Sequence, residues 1–146
     1  MKIMIPKEED IQACAKVYAS AYNIEPWNER YDILEVEKYI SSYLNSDTKR
    51  CFVLVEDDVI KGVALGLIVP SISGPYFRLE DFCIDASEHR NGFGSVFMEL
   101  LIKEVAKYGC DSVLLGTQKE YPSHQFYIKN GFQEVESILL YKGIEQ

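Results

Sequence analysis

Glu80 and Asp81 stand side by side in the run Leu79-Glu80-Asp81-Phe82-Cys83-Ile84-Asp85, which reads as a strand. His89-Arg90-Asn91-Gly92-Phe93-Gly94 follows and reads as a turn opening a long helix. A turn of this kind aims successive backbone N–H groups outward, and the helix start adds partial positive charge. The two together hold a phosphate with few cationic side chains. Gly92 and Gly94 let the backbone approach a ligand, because no Cβ stands in the way. Two phosphate loops are excluded. A dinucleotide fingerprint wants a third glycine at position 97, where Phe97 stands, and no Gly-Lys-Ser or Gly-Lys-Thr occurs. Taken alone, the Gly-x-Gly turn reads equally well as a tight turn that lets the helix pack.

The carboxylates beside this turn suit proton transfer. A partly buried carboxylate has a raised proton affinity, better matched to taking a proton from an ammonium group. Alternation along a strand points Asp81 away from Glu80 unless a bulge intervenes. Arg78 lies on the Glu80 face and offers a plain ion pair. Cys83 is a poor nucleophile candidate, because its sequence neighbours Asp81 and Asp85 are acids and an activated thiol needs a base or a positive charge. His124 reads as a surface histidine.

The elements around these residues follow from hydrophobic spacing. Lys2–Ile5 alternates like a short strand. Residues 7–22 carry the helical stripe Ile11, Cys14, Ala15, Tyr18 and Tyr22. Asp32 and Glu35 fit a capping box, with Val36, Ile40, Tyr43 and Leu44 on one face of the helix behind it. Cys51–Glu56 and Ile60–Val69 read as a hairpin with Asp57-Asp58 at its tip. Tyr76–Asp85 is the next strand. Gly92–Tyr108 is the strongest helix, with Gly109 as its stop. Ser112–Thr117 reads as a strand covered on both faces, residues 122–130 as a short helix ended by Gly131, and Phe132–Tyr141 as a final strand. The order β-α-α-β-β-β-α-β-α-β predicts an α/β (α+β) fold. Its centre is a mostly antiparallel mixed sheet of six to seven strands, flanked by about four helices in a single domain over residues 1–146.

Composition narrows the function. The 146 residues carry a net charge of −8, from 23 acids against 15 bases. The excess is even: residues 1–73 hold 12 acids and 8 bases, and residues 74–146 hold 11 and 7. Sequence-independent nucleic-acid binding, which rests on Lys and Arg neutralising phosphates, is disfavoured. No apolar run approaches the ~20 residues that span a bilayer. Cys14, Cys51, Cys83 and Cys110 lack the close spacing of zinc ligands, so no metal is expected, and they read as reduced thiols in a cytoplasmic protein.

Several motifs now combine. Residues 89–94 resemble motif A of the GNAT (Gcn5-related) N-acetyltransferases, whose pattern is Gln/Arg-x-x-Gly-x-Gly/Ala. Leu79-Glu80-Asp81-Phe82 is similar to the fourth strand of the polyamine (spermidine/spermine) acetyltransferases. Phe126-Tyr127-Ile128-Lys129-Asn130-Gly131-Phe132 resembles the family's carboxy-terminal FY-x-K-x-GF segment. Pro26-Trp27-Asn28-Glu29 resembles a loop of bacterial members with unassigned substrates. One departure is His89, which stands at the Gln/Arg position with Arg90 beside it.

The resemblance implies acetyl-CoA as cofactor, bound between the fourth and fifth strands. It implies that Phe82, Cys83 and Ile84 pair their backbones with the pantetheine arm. An N–H near Cys83 would polarise the thioester carbonyl. His89, Arg90, Asn91, Gly92, Phe93, Gly94 and Ser95 would cradle the pyrophosphate, with Ser123 and Lys129 at the outer phosphates. Glu80 is implied as the base that frees the amine and Tyr127 as the acid for the departing thiolate. The acceptor side would hold Tyr22, Trp27, Asn28, Glu29 and Asp81, aromatics and carboxylates that suit a small cationic amine. Acetyl transfer to a primary amine in a ternary complex is the activity implied; the alternatives are a silent acyl-CoA sensor or interaction module on the same fold and, with another phosphate at the turn, a nucleotide-binding regulatory domain. Small acetyltransferases of this kind commonly form homodimers.

Overall fold

The computed structural model describes all residues from Met1 to Gln146. It is a mixed α+β structure in two compact units, Met1–Gly116 and Thr117–Gln146. The first unit holds strands β1 (Lys2–Met4), β2 (Lys49–Glu56), β3 (Val59–Val69), β4 (Tyr76–Ile84) and β5 (Val113–Leu114). It also holds helices α1 (Ile11–Tyr22), α2 (Ile33–Ser41) and α3 (Phe93–Ala106). The strands form one sheet in the order β1-β2-β3-β4-β5, antiparallel except for the β4–β5 pair.

The β2–β3 hairpin turns at Asp57 and Asp58, with φ of +51° and +61°. Two successive left-handed residues make the tight turn whose twist matches the strands, and Asp adopts that conformation at low cost. One sheet face packs on α1 and α2. Its core includes Cys14, Tyr18, Val36, Ile40, Cys51, Val53, Val63, Leu65 and Cys83. Three cysteines far apart in sequence thus share one core; all four in the chain are free thiols. The other face meets α3. There Phe82 stacks on Phe97 at 5.0 Å, Phe52 packs on Phe77 at 6.1 Å, and Met98, Leu101 and Val105 are buried.

The second unit contains α4 (Pro122–Lys129), started by Pro122 and stopped before Gly131 at φ +92°. Several expectations are corrected. The sheet has five strands, not six or seven. Residues Phe132–Tyr141 form no strand, and Ile138, Leu139, Leu140 and Tyr141 lie exposed. Their apolar character suits a strand, but a strand also needs an edge to pair with. β5 spans only Val113–Leu114, and Leu114 is exposed rather than covered. At α2, Asp32 holds the N-cap position but its side chain makes no capping bond, so the expected box does not form. No helix is long and apolar enough to cross a membrane.

Candidate active site

The centre of the first unit is a break in β4. Leu65 pairs with Asp81 and Gly66 with Leu79, so Glu80 has no opposite number on β3. The extra residue is a β-bulge, and it reverses the alternation. Phe77 and Leu79 are buried, whereas beyond the bulge Asp81 and Cys83 face α1 and α2. The bulge therefore undoes the opposed pointing of the two carboxylates, and the Tyr43 hydroxyl feels the charge of both.

The two acids have different surroundings. Glu80 Oε1 accepts from Arg78 Nε at 2.6 Å, and both side chains are well exposed. Asp81 is half-buried and unaccompanied by any cation in its bonds. Its Oδ1 accepts from the Tyr18 hydroxyl at 3.0 Å and its Oδ2 from the Tyr39 hydroxyl at 2.5 Å. Burial pushes the Asp81 carboxyl above its ordinary range; the two tyrosine donors pull it back, and the nearby Glu80 adds a smaller upward push. Burial also raises Tyr18 and Tyr39, helped by Asp81, so both phenols keep their protons. Tyr39 escapes sequence reasoning, and Tyr18 and Tyr43 read there as core stripe. The available signal is the pair of i, i+4 tyrosine spacings, Tyr18/Tyr22 and Tyr39/Tyr43, on two successive helices.

The far edge of β4 is open. β5 pairs with it only at Phe77 and Arg78, so no strand flanks Leu79–Ile84 on that side. Asp85 N–H donates to the Lys61 carbonyl on β3. Counting back by twos, Cys83 also turns its backbone toward β3, whereas Phe82 and Ile84 turn theirs to the open edge. The Tyr22 hydroxyl meets both the N–H and the carbonyl of Phe82, each at 3.3 Å. The carbonyl of Ile84 accepts from His89 Nε2 at 2.8 Å. An N–H presented at this edge is therefore Phe82's, not Cys83's. The Cys83 thiol is buried, and burial holds it strongly protonated, which suits packing and not covalent chemistry.

At the start of α3, Arg90 and Gly92 both take left-handed backbones, φ +70° and +79°. A Cβ on Gly92 would meet nothing within 4 Å, so the space over the turn is open. Phe93, Gly94 and Ser95 form the first turn of the helix. Asn91 Nδ2 donates to Glu88, which is itself bridged by Lys61 at 2.9 Å. The open turn, the N–H-rich helix start and the exposed Arg90 fit a pyrophosphate.

The Pro26–Glu29 loop closes on the end of α1. Glu29 N–H donates to the Tyr22 carbonyl at 2.9 Å, and the Trp27 ring stands edge-on to Tyr22 at 5.5 Å. Asn28 is left-handed at φ +48°, and Asn28 and Glu29 are exposed. In the second unit, the Tyr127 ring sits between Phe126 at 5.3 Å and Phe132 at 5.4 Å. Ser123 shares a hydrogen bond with Thr117 at 2.8 Å, Lys129 is exposed, and His124 is tied to Glu134 at 2.8 Å. No group of three or more His, Cys, Asp or Glu could hold a metal ion.

A model of the Acetyltransferase (GNAT) family matches residues 11–132. No curated protein sequence matches the chain. Among solved structures, a transcriptional regulator from Bacillus halodurans is similar at TM-score 0.79 and 18% identity, covering 97% of this chain and 99% of that one. A GNAT family acetyltransferase of Staphylococcus aureus matches at TM-score 0.74 and 16% identity, over 97% and 99%. An aminoglycoside N-acetyltransferase in complex with CoA matches at TM-score 0.77 and 18% identity, over 97% and 93%. At such identities the likeness concerns the fold.

Proposed function

From the premise that the chain belongs to the GNAT acetyltransferase family, we propose that it moves an acetyl group from acetyl-CoA to the primary amine of a small cationic molecule. The observation that carries this reading is the open β4 edge beside a bulge bearing two carboxylates. Acetyl-CoA supplies an activated acyl carbon and a thiolate leaving group. The residues of the turn, His89 through Ser95, hold the pyrophosphate by backbone N–H groups and the Arg90 charge, with Ser123 and Lys129 at the outer phosphates. Phe82 and Ile84, whose backbones face the open edge, line the pantetheine, Cys83 between them stays in the core and on the β3 ladder, and Phe82 N–H is the donor for the acyl oxygen. Glu80 takes the ammonium proton through Oε2, the oxygen that Arg78 Nε does not bind. Tyr22, Trp27, Asn28, Glu29 and Asp81 face the acceptor. The four free thiols suit a reducing cytoplasm.

Tyr127 protonates the departing sulfur in this scheme. A thiol of this type has a pKa near ~8.5, so the thiolate leaves tolerably well unaided. Tyr127→Phe is therefore expected to lower turnover about tenfold, less than a full general-acid effect. Full turnover with unchanged acetyl-CoA binding would remove Tyr127 from the role.

The deciding experiment measures thermal stabilisation by acetyl-CoA, then free-thiol release against a panel of amines. Stabilisation with release confirms the transferase and identifies the acceptor class. Stabilisation without release from any amine would instead assign a CoA-binding sensor. A preference for ATP or NAD over acetyl-CoA would overturn both.

A further inference from the structure

Six aromatic rings form a connected row on the α1/α2 side of the bulge. Trp27 meets Tyr22 at 5.5 Å, Tyr22 meets Tyr18 at 4.6 Å, Tyr18 meets Tyr39 at 6.0 Å and Tyr31 at 5.8 Å, and Tyr39 meets Tyr43 at 5.3 Å. Beneath the middle of the row lies the Asp81 carboxylate. One end already holds a cation: the Lys49 ammonium stands 5.1 Å from the Tyr43 ring centre. Ring faces around a carboxylate attract ammonium groups and repel anions.

The protons in this row can be counted. Each phenol has one, and an ionised carboxylate has none. Tyr39 spends its proton on Asp81 Oδ2, and Tyr18 spends its own on Oδ1. The 3.3 Å contact between Tyr39 and Tyr43 must then run from the Tyr43 hydroxyl to the Tyr39 oxygen. That leaves the Tyr39 oxygen with acceptor capacity and nothing to donate. Tyr39 is 38% exposed, so its side chain is reachable from solvent.

We infer that Tyr39 seats the acceptor nitrogen: its oxygen, made an obligate acceptor by Asp81, receives an N–H of an aliphatic ammonium that carries no anionic group beside it. Asp81 is the positioning residue, fixing the Tyr39 proton and supplying the negative charge. The inference rests on the acetyl-transfer reading for the identity of the nitrogen. It narrows the acceptor to cationic amines and rejects amino acids whose carboxylate would confront Asp81.

Calorimetric titration tests this with the full chain, using 1,4-diaminobutane against 4-aminobutanoate, in wild type, Tyr39→Phe and Asp81→Asn. Circular dichroism confirms that each variant folds. Wild type should bind the diamine at least tenfold more tightly than the amino acid. Tyr39→Phe should weaken diamine binding about tenfold. Asp81→Asn should collapse the preference between the two probes, a readout that a merely structural role would not move. Unchanged diamine affinity in Tyr39→Phe, or wild type that fails to bind the diamine or prefers the amino acid, overturns the seat. Thiol release is measured in parallel. Its absence with every amine would sink the transferase reading, while the calorimetry still decides the seat.

Discussion

Replacing Glu80 by Gln is expected to cut turnover by roughly 100-fold or more near neutral pH, the lower end of what a positioned general base contributes. The amine must be neutral to attack, yet an alkyl ammonium, like a lysine side chain, keeps its proton up to about pH 10. Glu80 is the exposed carboxylate of the bulge, and its link to Arg78 occupies one oxygen. An exposed pair of this kind is worth about 1 kcal/mol at most, so it does not lock the group. The sign of the pH dependence separates base catalysis from structural damage. As the pH rises toward the amine's own pKa, solvent removes the proton and the deficit of the Gln variant should shrink. A structural defect would leave a constant deficit. Thiol release measured from pH 6 to pH 10 makes the distinction, and unchanged turnover throughout would exclude Glu80 as the base.

Gly66→Ala is expected to cost about 1–3 kcal/mol, the range for overpacking a well-filled interior. Gly66 faces the bulge across the β3–β4 ladder, paired with Leu79. A Cβ there would run into the Phe77 ring and come within 2.6 Å of the Arg78 carbonyl oxygen. Neither neighbour can give way easily. Phe77 is fully buried against Phe52, and the other obstacle is backbone. Thermal unfolding should show a fall of several degrees. Gly116→Ala, where an added Cβ meets nothing within 4 Å, is the matched control and should stay near wild type. Acetyl transfer should fall with the Gly66 variant even where it stays folded, because the bulge that orients Glu80 must shift. Full stability in Gly66→Ala would mean that the ladder relaxes freely around the bulge.

Local chemistry was readable from sequence wherever a residue decides its own conformation. Asp57-Asp58 marks a hairpin tip because Asp tolerates the left-handed backbone; α3, expected to run to Tyr108 with Gly109 as its stop, ends instead at Ala106 and reaches the left-handed Gly109 through a three-residue turn. The spacing of Phe93, Val96, Phe97, Leu100, Leu101, Val105 and Tyr108 marks one apolar face of the α3 segment; Phe97, Leu101 and Val105 are buried, whereas Val96 is 37% exposed. Illegible features depend on partners. The short β5 and the unpaired run after Phe132 show apolar residues without an edge to join. The bulge at Glu80 is a property of two strands in register, so a single strand's pattern admits it without requiring it. The Tyr18–Asp81–Tyr39 bridge joins positions 63 and 42 residues apart, a distance that no spacing rule covers.

The open flank of β4 has a meaning apart from chemistry. A strand with bare N–H and carbonyl groups is a template on which another chain can polymerise. Here the Phe82 groups are met by Tyr22, and the Ile84 carbonyl by His89. Side chains thus stand in for the missing strand and deny it to neighbouring molecules. The 3.3 Å contacts at Phe82 are long enough to surrender readily. On the proposed acetyl-CoA reading, the protein keeps a solvent-facing sheet margin unaggregated while empty and yields that margin on loading, with colloidal safety and ligand access sharing the same two side chains.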